Sequence, residues 1–464
     1  MDGYSCLDNI VPYFLSQIGV YFIWRIKELI IMEIILTDKD FLNYEIKDNI
    51  EITDISYEDN EYLKRLIDRL VTITYLYRDK KVLYKGNKDL SKYHFIKTKE
   101  GFILDLKKTR IKRFVKIGSG NTGPKNNICD VKGVKVGHST ITDNEKDIHT
   151  GVTVISPHDG NMFREKVVAS SCSFNGFGKT IGLLQVEELG TIETKIALTS
   201  TLCVNRIAEG IMQESLDENT DIGISAGTVN PLVMECNDGS LNNSRLRLLT
   251  GSDYFNAVKN LDSDFAQGDV GAGAGMVCHG FKGGIGSSSR VLTIDDKEYT
   301  IGIICNSNFG SSNGRDLIFD GRKLGDKIRE KDQEYEDKGS IVCVFATDIP
   351  LNERQLKRVL KRVELGIART GSYAGNGSGD VFVGFTTANK RNHYVDEAIT
   401  NNEYLSDNYI NLVFKNTVEM TEEAVLNSML FSHHVKGFMK DCKSLQDYNE
   451  LFSDLFNEVV EYEI

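Results

Sequence analysis

The sequence predicts an α+β protein in which strands assemble into packed sheets covered by helices, preceded by a small accessory module. Three observations lead there. From Ile128 onward, short β-rich runs alternate with glycines, in one block before about residue 310 and another from Ser340. Helical stripes with a 3.6-residue period fall between and after those blocks. The charge balance shifts near residue 120: residues 1–120 carry 21 Lys and Arg against 18 Asp and Glu, whereas the whole chain has a net charge of -12. That asymmetry marks two modules.

The chain's 464 residues are enough for one large domain or two to three ordinary ones. Residues 1–116 read as the accessory module. Within it, Phe14 to Leu36 is apolar and expected to be helical, and Leu63, Leu66, Ile67 and Leu70 give Asp59 to Tyr77 a helical period. Short strand-like runs follow, such as Lys81 to Tyr84 and Gly101 to Leu106. The apolar stretch Ile10 to Trp24 is short for a membrane span and is preceded by acidic rather than basic residues, so no stable membrane insertion and no secretory signal are expected. Residues 117–127 form a linker, with Gly118 to Pro124 as a flexible connection. The linker satisfies GxGxxG, but Pro124 ends it and no helical pattern follows, so it is not a dinucleotide loop. Ser173 to Thr180 resembles a phosphate loop but has Ser173 where the first glycine belongs.

From 128 to 464 the chain reads as the main domain. Strands are expected at Val131 to Val136, Gly151 to Ile155, Lys166 to Ser171, Lys195 to Leu198, Ile222 to Ile224, Tyr299 to Cys305, Ser340 to Phe345 and Asp380 to Phe385. A helix is predicted over Cys203 to Gln213, with Val204, Ile207, Ala208 and Ile211 on one face. A second opens at Asn352, whose capping box is completed by Gln355, and carries the stripe Leu356, Val359, Leu360, Val363 and Ile367. Late helices are expected at about Met420 to Ser432 and Leu445 to Val459. The glycine runs 271–275 and 282–286 remove side chains where backbone approaches backbone or substrate.

Composition narrows the function. An acidic chain argues against nucleic acid or an anionic membrane as main partner. Nine scattered cysteines without a CxxC or paired spacing fit reduced thiols in the cytoplasm. The eight histidines form no ligand spacing, so neither metal nor cofactor is expected.

The chemistry concentrates in three polar clusters at strand ends: Asn306 to Gly310, Gly339-Ser340, and Gly375 to Asp380. Gly-Ser occurs eight times in the chain, and most such pairs are turns. Gly339-Ser340 differs in lying where a charged loop runs into an apolar strand. No histidine is near these clusters in sequence to act as a base. Cleavage before Ser340 would supply one, a free α-amine beside the serine hydroxyl, with an ordinary pKa near ~8. Asp380 could then polarise Ser378, which relays to that amine, and Asn308 could donate to an oxyanion.

These stretches, together with Ile128 to His138, Gly151 to Ile155, Gly273 to Gly286 and Ala368 to Asp380, resemble the DmpA-type aminopeptidases. This is the L-aminopeptidase/D-esterase and β-peptidyl aminopeptidase family, peptidase family S58, and the resemblance covers roughly residues 124–437. It implies a four-layer αββα sandwich, shared with the ornithine acetyltransferases. It implies self-cleavage between Gly339 and Ser340 into an α chain and a β chain of 340–464. It implies Ser340 as nucleophile, Ser378 and Asp380 as its support, Asn308 at the oxyanion, and Lys282 as the lysine near the site in related nylon-oligomer hydrolases. Glu235 matches the glutamate that binds the substrate's free amine. It further implies a small peptide or amino-acid amide as substrate, and a homo-oligomer, a tetramer of αβ units. Two departures stand out: Asn237 replaces a family tyrosine, and residues 1–116 are an addition to the family's usual plan. An acyltransferase of the ornithine-acetyltransferase group would use threonine as nucleophile, so Ser340 disfavours that alternative. A non-catalytic regulatory homologue is disfavoured by the intact polar set.

Overall fold

The computed structural model describes residues 117–311, 314–319, 321–325 and 339–448, together with the backbone of five short strands between Tyr21 and Leu104. The chain divides into two compact units, one of residues 1–115 with 449–464 and one of residues 116–448. In the first unit, Tyr21–Ile23, Glu33–Leu36, Thr72–Tyr75, Phe102–Leu104 and Phe95–Lys97 form one sheet in that order. This corrects the helix expected over Phe14 to Leu36, because Tyr21–Ile23 and Glu33–Leu36 pair antiparallel. Both runs are rich in aromatic and β-branched residues, which favour a pleated surface over a helix. Thr72–Tyr75 likewise replaces the end of the helix expected to Tyr77. Lys81 to Tyr84 lies outside the described residues.

The second unit is built on two sheets. The smaller uses β1 (Lys135–Asp143), β2 (Ile148–Ser156), β5 (Ile196–Ser200) and β6 (Leu232–Cys236), in the order β6-β5-β2-β1. The larger uses β3 (Glu165–Gly176), β4 (Thr191–Ile192), β7 (Gly284–Ile294), β8 (Lys297–Asn308), β9 (Ser340–Thr347) and β10 (Gly379–Asn392), in the order β7-β8-β9-β10-β3-β4. Only β9 and β10 run parallel within it, joined by a helix crossover.

Alternation along the strands separates the layers. Ile196, Leu198, Leu232 and Met234 of the small sheet meet Ile304, Val342, Val344, Val381 and Val383 of the large one in a shared core. The intervening Ala197 and Val233 face instead a second core with α2 (Val204–Glu218) and α3 (Gly251–Lys259). Helices α4 (Glu353–Arg369) and α5 (Ile410–Leu430) cover the outer face of the large sheet. The result is four layers, helix–sheet–sheet–helix. (The short helix Leu183–Leu189 is α1.)

Local sequence explains the helices. Asn352 accepts from Gln355 N at 2.9 Å while the Gln355 side chain accepts from Asn352 N, so the predicted capping box opens α4. The stripe Leu356, Val359, Leu360, Val363 and Ile367 is buried against the sheet. Helix α5 is buried on most sides and presses on β7. A Cβ added at Gly286 would lie 2.5 Å from Ser428 N, and closer to Ala424 O. That is the close backbone approach expected of the run 282–286, which leads into a core strand.

Three other expectations change. Ile222 to Ile224 is a turn with Ile224 exposed, closed by Gly223 N donating to Gly227 O. Gly118 to Pro124 is tied down rather than flexible. Arg290 Nη2 donates to Ile117 O at 2.8 Å and to Glu423 at 2.6 Å, and Val291 N donates to Asn121 O at 2.8 Å. The expected last helix begins as a 3-10 turn, Leu445–Tyr448, and its remainder lies outside the described residues.

Candidate active site

The three polar clusters converge at one end of the large sheet. Asn308 closes β8, Ser340 opens β9 and Gly379 opens β10. The ladder places Asn308 opposite Ser340, and Ser340 opposite Gly379, in one transverse row. Residues 308 and 340 are 32 positions apart in the chain, and only strand pairing makes them neighbours. Ser378, just before β10, donates its hydroxyl to Asp380 Oδ1 at 2.7 Å. Ser340, Asn308, Ser378 and Asp380 are all buried.

Asn308 is held at both ends of its amide. Val277 N donates to its Oδ1 at 2.9 Å, and its Nδ2 donates to Asn237 O at 3.1 Å. An amide nitrogen has two donors, so the second N–H can serve another acceptor. Val277 belongs to the hairpin Val277–Cys278/Phe281–Lys282, whose turn residues His279 and Gly280 both have positive φ. A two-residue hairpin turn requires that conformation.

That hairpin also carries Lys282. Its ammonium is fully buried and donates to the backbone carbonyls of Gly273 at 2.9 Å and Gly283 at 2.6 Å. Burial pushes its pKa down to about 8, with the Asp269 charge acting in the other direction. In the described geometry Lys282 buttresses the hairpin that holds Asn308.

Gly339 is close against the turn after β8. A Cβ there would lie 2.7 Å from Phe309 Cα, and closer to the Asn308 carbonyl oxygen. Only glycine fits that path.

The facing small sheet contributes three consecutive residues. Glu235 accepts from Lys179 N at 2.7 Å and from the Thr201 hydroxyl. It reaches the Asn308–Ser340–Gly379 row through the loop after β3: Gly178 packs against its carboxylate, and Phe177 and Gly178 pack against Gly379. Cys236 points at the row itself, with Sγ 3.6 Å from Ser340 O. Asn237 supplies the carbonyl that orients Asn308, while its exposed side chain accepts from Gly239 N at 3.0 Å.

Asn308, Ser340, Ser378 and Asp380 gather at this row; Asn237 joins it through its backbone carbonyl, Glu235 only through the turn at 177–178, and Lys282 only through the hairpin of Val277. Sequence reasoning missed Cys236, Val277, Lys179 and Thr201. Cys236 had a signal in its position beside Glu235. Val277 and Lys179 act through backbone N–H groups, which no side-chain pattern reports. Among the described residues, no group of three or more His, Cys, Asp or Glu is placed to hold a metal, and no helix is long and apolar enough to cross a membrane.

Comparison with known proteins gives consistent relatives. The sequence profile of peptidase family S58 matches residues 126–442. A β-peptidyl aminopeptidase, BapA of Sphingosinicella xenopeptidilytica, is 33% identical over 346 residues, covering 68% of this chain and 84% of its own. Among solved structures, the PH0078 protein of Pyrococcus horikoshii OT3 is 43% identical with a TM-score of 0.70, covering 75% of this chain and 98% of its own. The L-aminopeptidase D-Ala-esterase/amidase of Ochrobactrum anthropi, described as a variant of the Ntn hydrolase fold, is 31% identical with a TM-score of 0.64, covering 72% and 98%.

Proposed function

The chain belongs to peptidase family S58, and on that premise we propose that it is a self-processing serine aminopeptidase or amidase with Ser340 as nucleophile. The observation that carries this reading is the row Asn308–Ser340–Gly379, flanked by the Ser378–Asp380 hydrogen bond. It sets a hydroxyl, an amide donor and a carboxylate-backed hydroxyl around a single strand start.

In maturation, Ser340 Oγ attacks the Gly339 carbonyl carbon and the peptide nitrogen leaves as the Ser340 amine. Water then hydrolyses the resulting ester, releasing the Gly339 carboxylate and restoring the hydroxyl. In turnover, the new amine takes the proton from Oγ as Oγ attacks the substrate carbonyl. The Asn308 Nδ2 donates to the oxygen that becomes negative. The Ser340 ammonium returns a proton to the leaving amine, and water repeats the sequence on the acyl-enzyme. Because Ser378 gives its hydrogen to Asp380, its oxygen can accept from the Ser340 ammonium and steady that charge.

Glu235 suits a substrate with a free amine at its acyl end, since its carboxylate is anchored near the row by Lys179 N and Thr201. Relatives named for β-peptides, L-amino acids and D-Ala esters or amides extend the proposal to small peptides, amides and esters of amino acids. The eight described cysteines are buried thiols, which supports a reducing setting.

The test is intact-mass measurement of purified protein on and off a denaturing gel. Fragments ending at Gly339 and beginning at Ser340 are expected, and Ser340→Ala should abolish both cleavage and hydrolysis of amino-acid p-nitroanilides. A full-length chain that hydrolyses them, or an active Ser340→Ala variant, would overturn the reading.

A further inference from the structure

The proposed reaction leaves one polar side chain of the cleft unused. Asn306 lies two residues before Asn308 on β8, so both side chains leave the same face of the strand. Asn306 is opposite Val342 and Asn308 is opposite Ser340. Asn306 is thus a diagonal neighbour of Ser340, about 7–8 Å away at Cα and within side-chain reach. It is 0% exposed, and neither Nδ2 nor Oδ1 has a hydrogen-bond partner among the described residues.

The far side of this space is closed by Cys236 from the small sheet. Its Sγ is 3.5 Å from Asn306 O and 3.6 Å from Ser340 O. Burial holds the thiol well above its ordinary pKa, so it stays a neutral S–H.

A buried amide unpaired at both ends costs stability, and a leucine of similar shape would fill the place without that cost. Its neighbours on the core side are apolar, with Ile304 and Val342 on the same faces of β8 and β9. An asparagine there is explained by a partner that it meets during the reaction. We propose that Asn306 is a positioning residue for Ser340: its Nδ2 donates to the Ser340 hydroxyl oxygen from the deep side of the cleft, turning Oγ toward the scissile carbonyl while Asn308 serves the oxyanion. This rests on the reading of Ser340 as nucleophile. The hydroxyl can accept from Asn306 and still donate its hydrogen to the amine, because its oxygen has separate lone pairs.

The test is Asn306→Leu. Loss of the positioning bond is expected to lower kcat on an amino-acid p-nitroanilide by about 10- to 100-fold with KM within about 2-fold. Cleavage after Gly339 should slow as well. The thermal midpoint should stay level or rise, since the unpaired amide is gone. An unchanged kcat would make Asn306 a core filler, and a kcat that falls together with the midpoint would make it a fold residue; either overturns the inference. Should Asn306→Leu not mature, Asn306→Asp keeps the shape and removes the donor. Its added carboxylate should move the rising limb of the pH–kcat profile to higher pH by favouring the Ser340 ammonium, and an unmoved limb overturns the inference. Ser340→Ala separates the two claims. If it is inactive while Asn306→Leu is normal, only Asn306 is wrong; if it is active, the nucleophile itself is wrong.

Discussion

The two ends of the large sheet are built on opposite principles. At the far end, where β3 begins and β10 finishes, charge is matched by charge. Arg164 pairs with Asp221 at 2.5 Å, Tyr394 donates to the same carboxylate, and Lys390 pairs with Glu165 at 2.7 Å. Arg164 also lies over the Tyr394 ring at 5.1 Å. Tyr394 and Arg164 together hold the Asp221 carboxyl down at about 2. At the near end, the close of β8 and the starts of β9 and β10 carry Asn308, Ser340 and Asp380 in burial, and the neighbouring Asn306 is left unpaired among the described residues. The far end is held by ion pairs near the surface and serves the fold. The near end buries uncharged amides and hydroxyls and leaves one amide unpaired, at a cost in stability.

That contrast can be broken or sharpened experimentally, beginning with the largest effect. Gly339→Ala should block maturation outright, because its Cβ would collide with the backbone of Asn308 and Phe309; intact mass would show an uncut chain, and normal cleavage would refute the steric argument. Asn308→Ala should lower kcat by about 10²–10³ and also lower the thermal midpoint, because Val277 N and Asn237 O lose their partner, as read by steady-state kinetics beside a melting curve.

Acid should also act through the fold. His138 is half-buried and His279 fully buried, and both are held neutral, with desolvation pushing each pKa down to about 4. Unfolded, each would titrate near ~6.5. The unfolded chain therefore binds protons first as the pH falls. The stability contributed is full above ~6.5 and is lost between there and about 4, by on the order of 3 kcal/mol per histidine at most. Glu364 on α4 has the opposite sign. Burial, with the nearby Asp380 charge adding to it, pushes its carboxyl up to about 8. Its contribution is full below ~4.5 and is lost as the pH rises to about 8. Denaturant midpoints measured against pH should show both slopes, with the acid slope reduced in His138→Gln and the alkaline slope reduced in Glu364→Gln.

At the far end, Arg164→Ala should lower the thermal midpoint by a few degrees with kcat unchanged; a loss of turnover would mean the two ends are coupled. The smallest effect is expected at Asn237→Ala, with kcat within about 2-fold, because the bond to Asn308 uses the residue's backbone carbonyl. A large loss there would show that the exposed side chain meets substrate.

Legibility followed the range of the interactions. Helix α4 was readable because its cap and stripe are local: Asn352, Gln355 and Leu356 to Ile367 are neighbours in sequence and in space. Most core strands announced themselves as β-branched runs. Gly284–Ile294 did not, because its glycines answer to the pressure of α5 from over a hundred residues away. Gly118 to Pro124 looked flexible for the same reason, since its anchors are Ser289 and Val291. Tyr21–Ile23 and Glu33–Leu36 misled because a short apolar run reads as helix or strand until its partner is known.

The sequence by itself determined the layer composition, the cap of α4, the polar clusters at strand ends and the resemblance that joins them to a peptidase family. These are properties of residue type and short spacing. Only the tertiary structure decided that Asn308, Ser340 and Gly379 share one row, that Val277 and Asn237 aim the Asn308 amide through their backbones, and that Cys236 closes the cleft opposite Asn306. Strand register and backbone hydrogen bonds set those relations. They depend on which segments pair across the sheet, and that is specified by the packing of the whole unit.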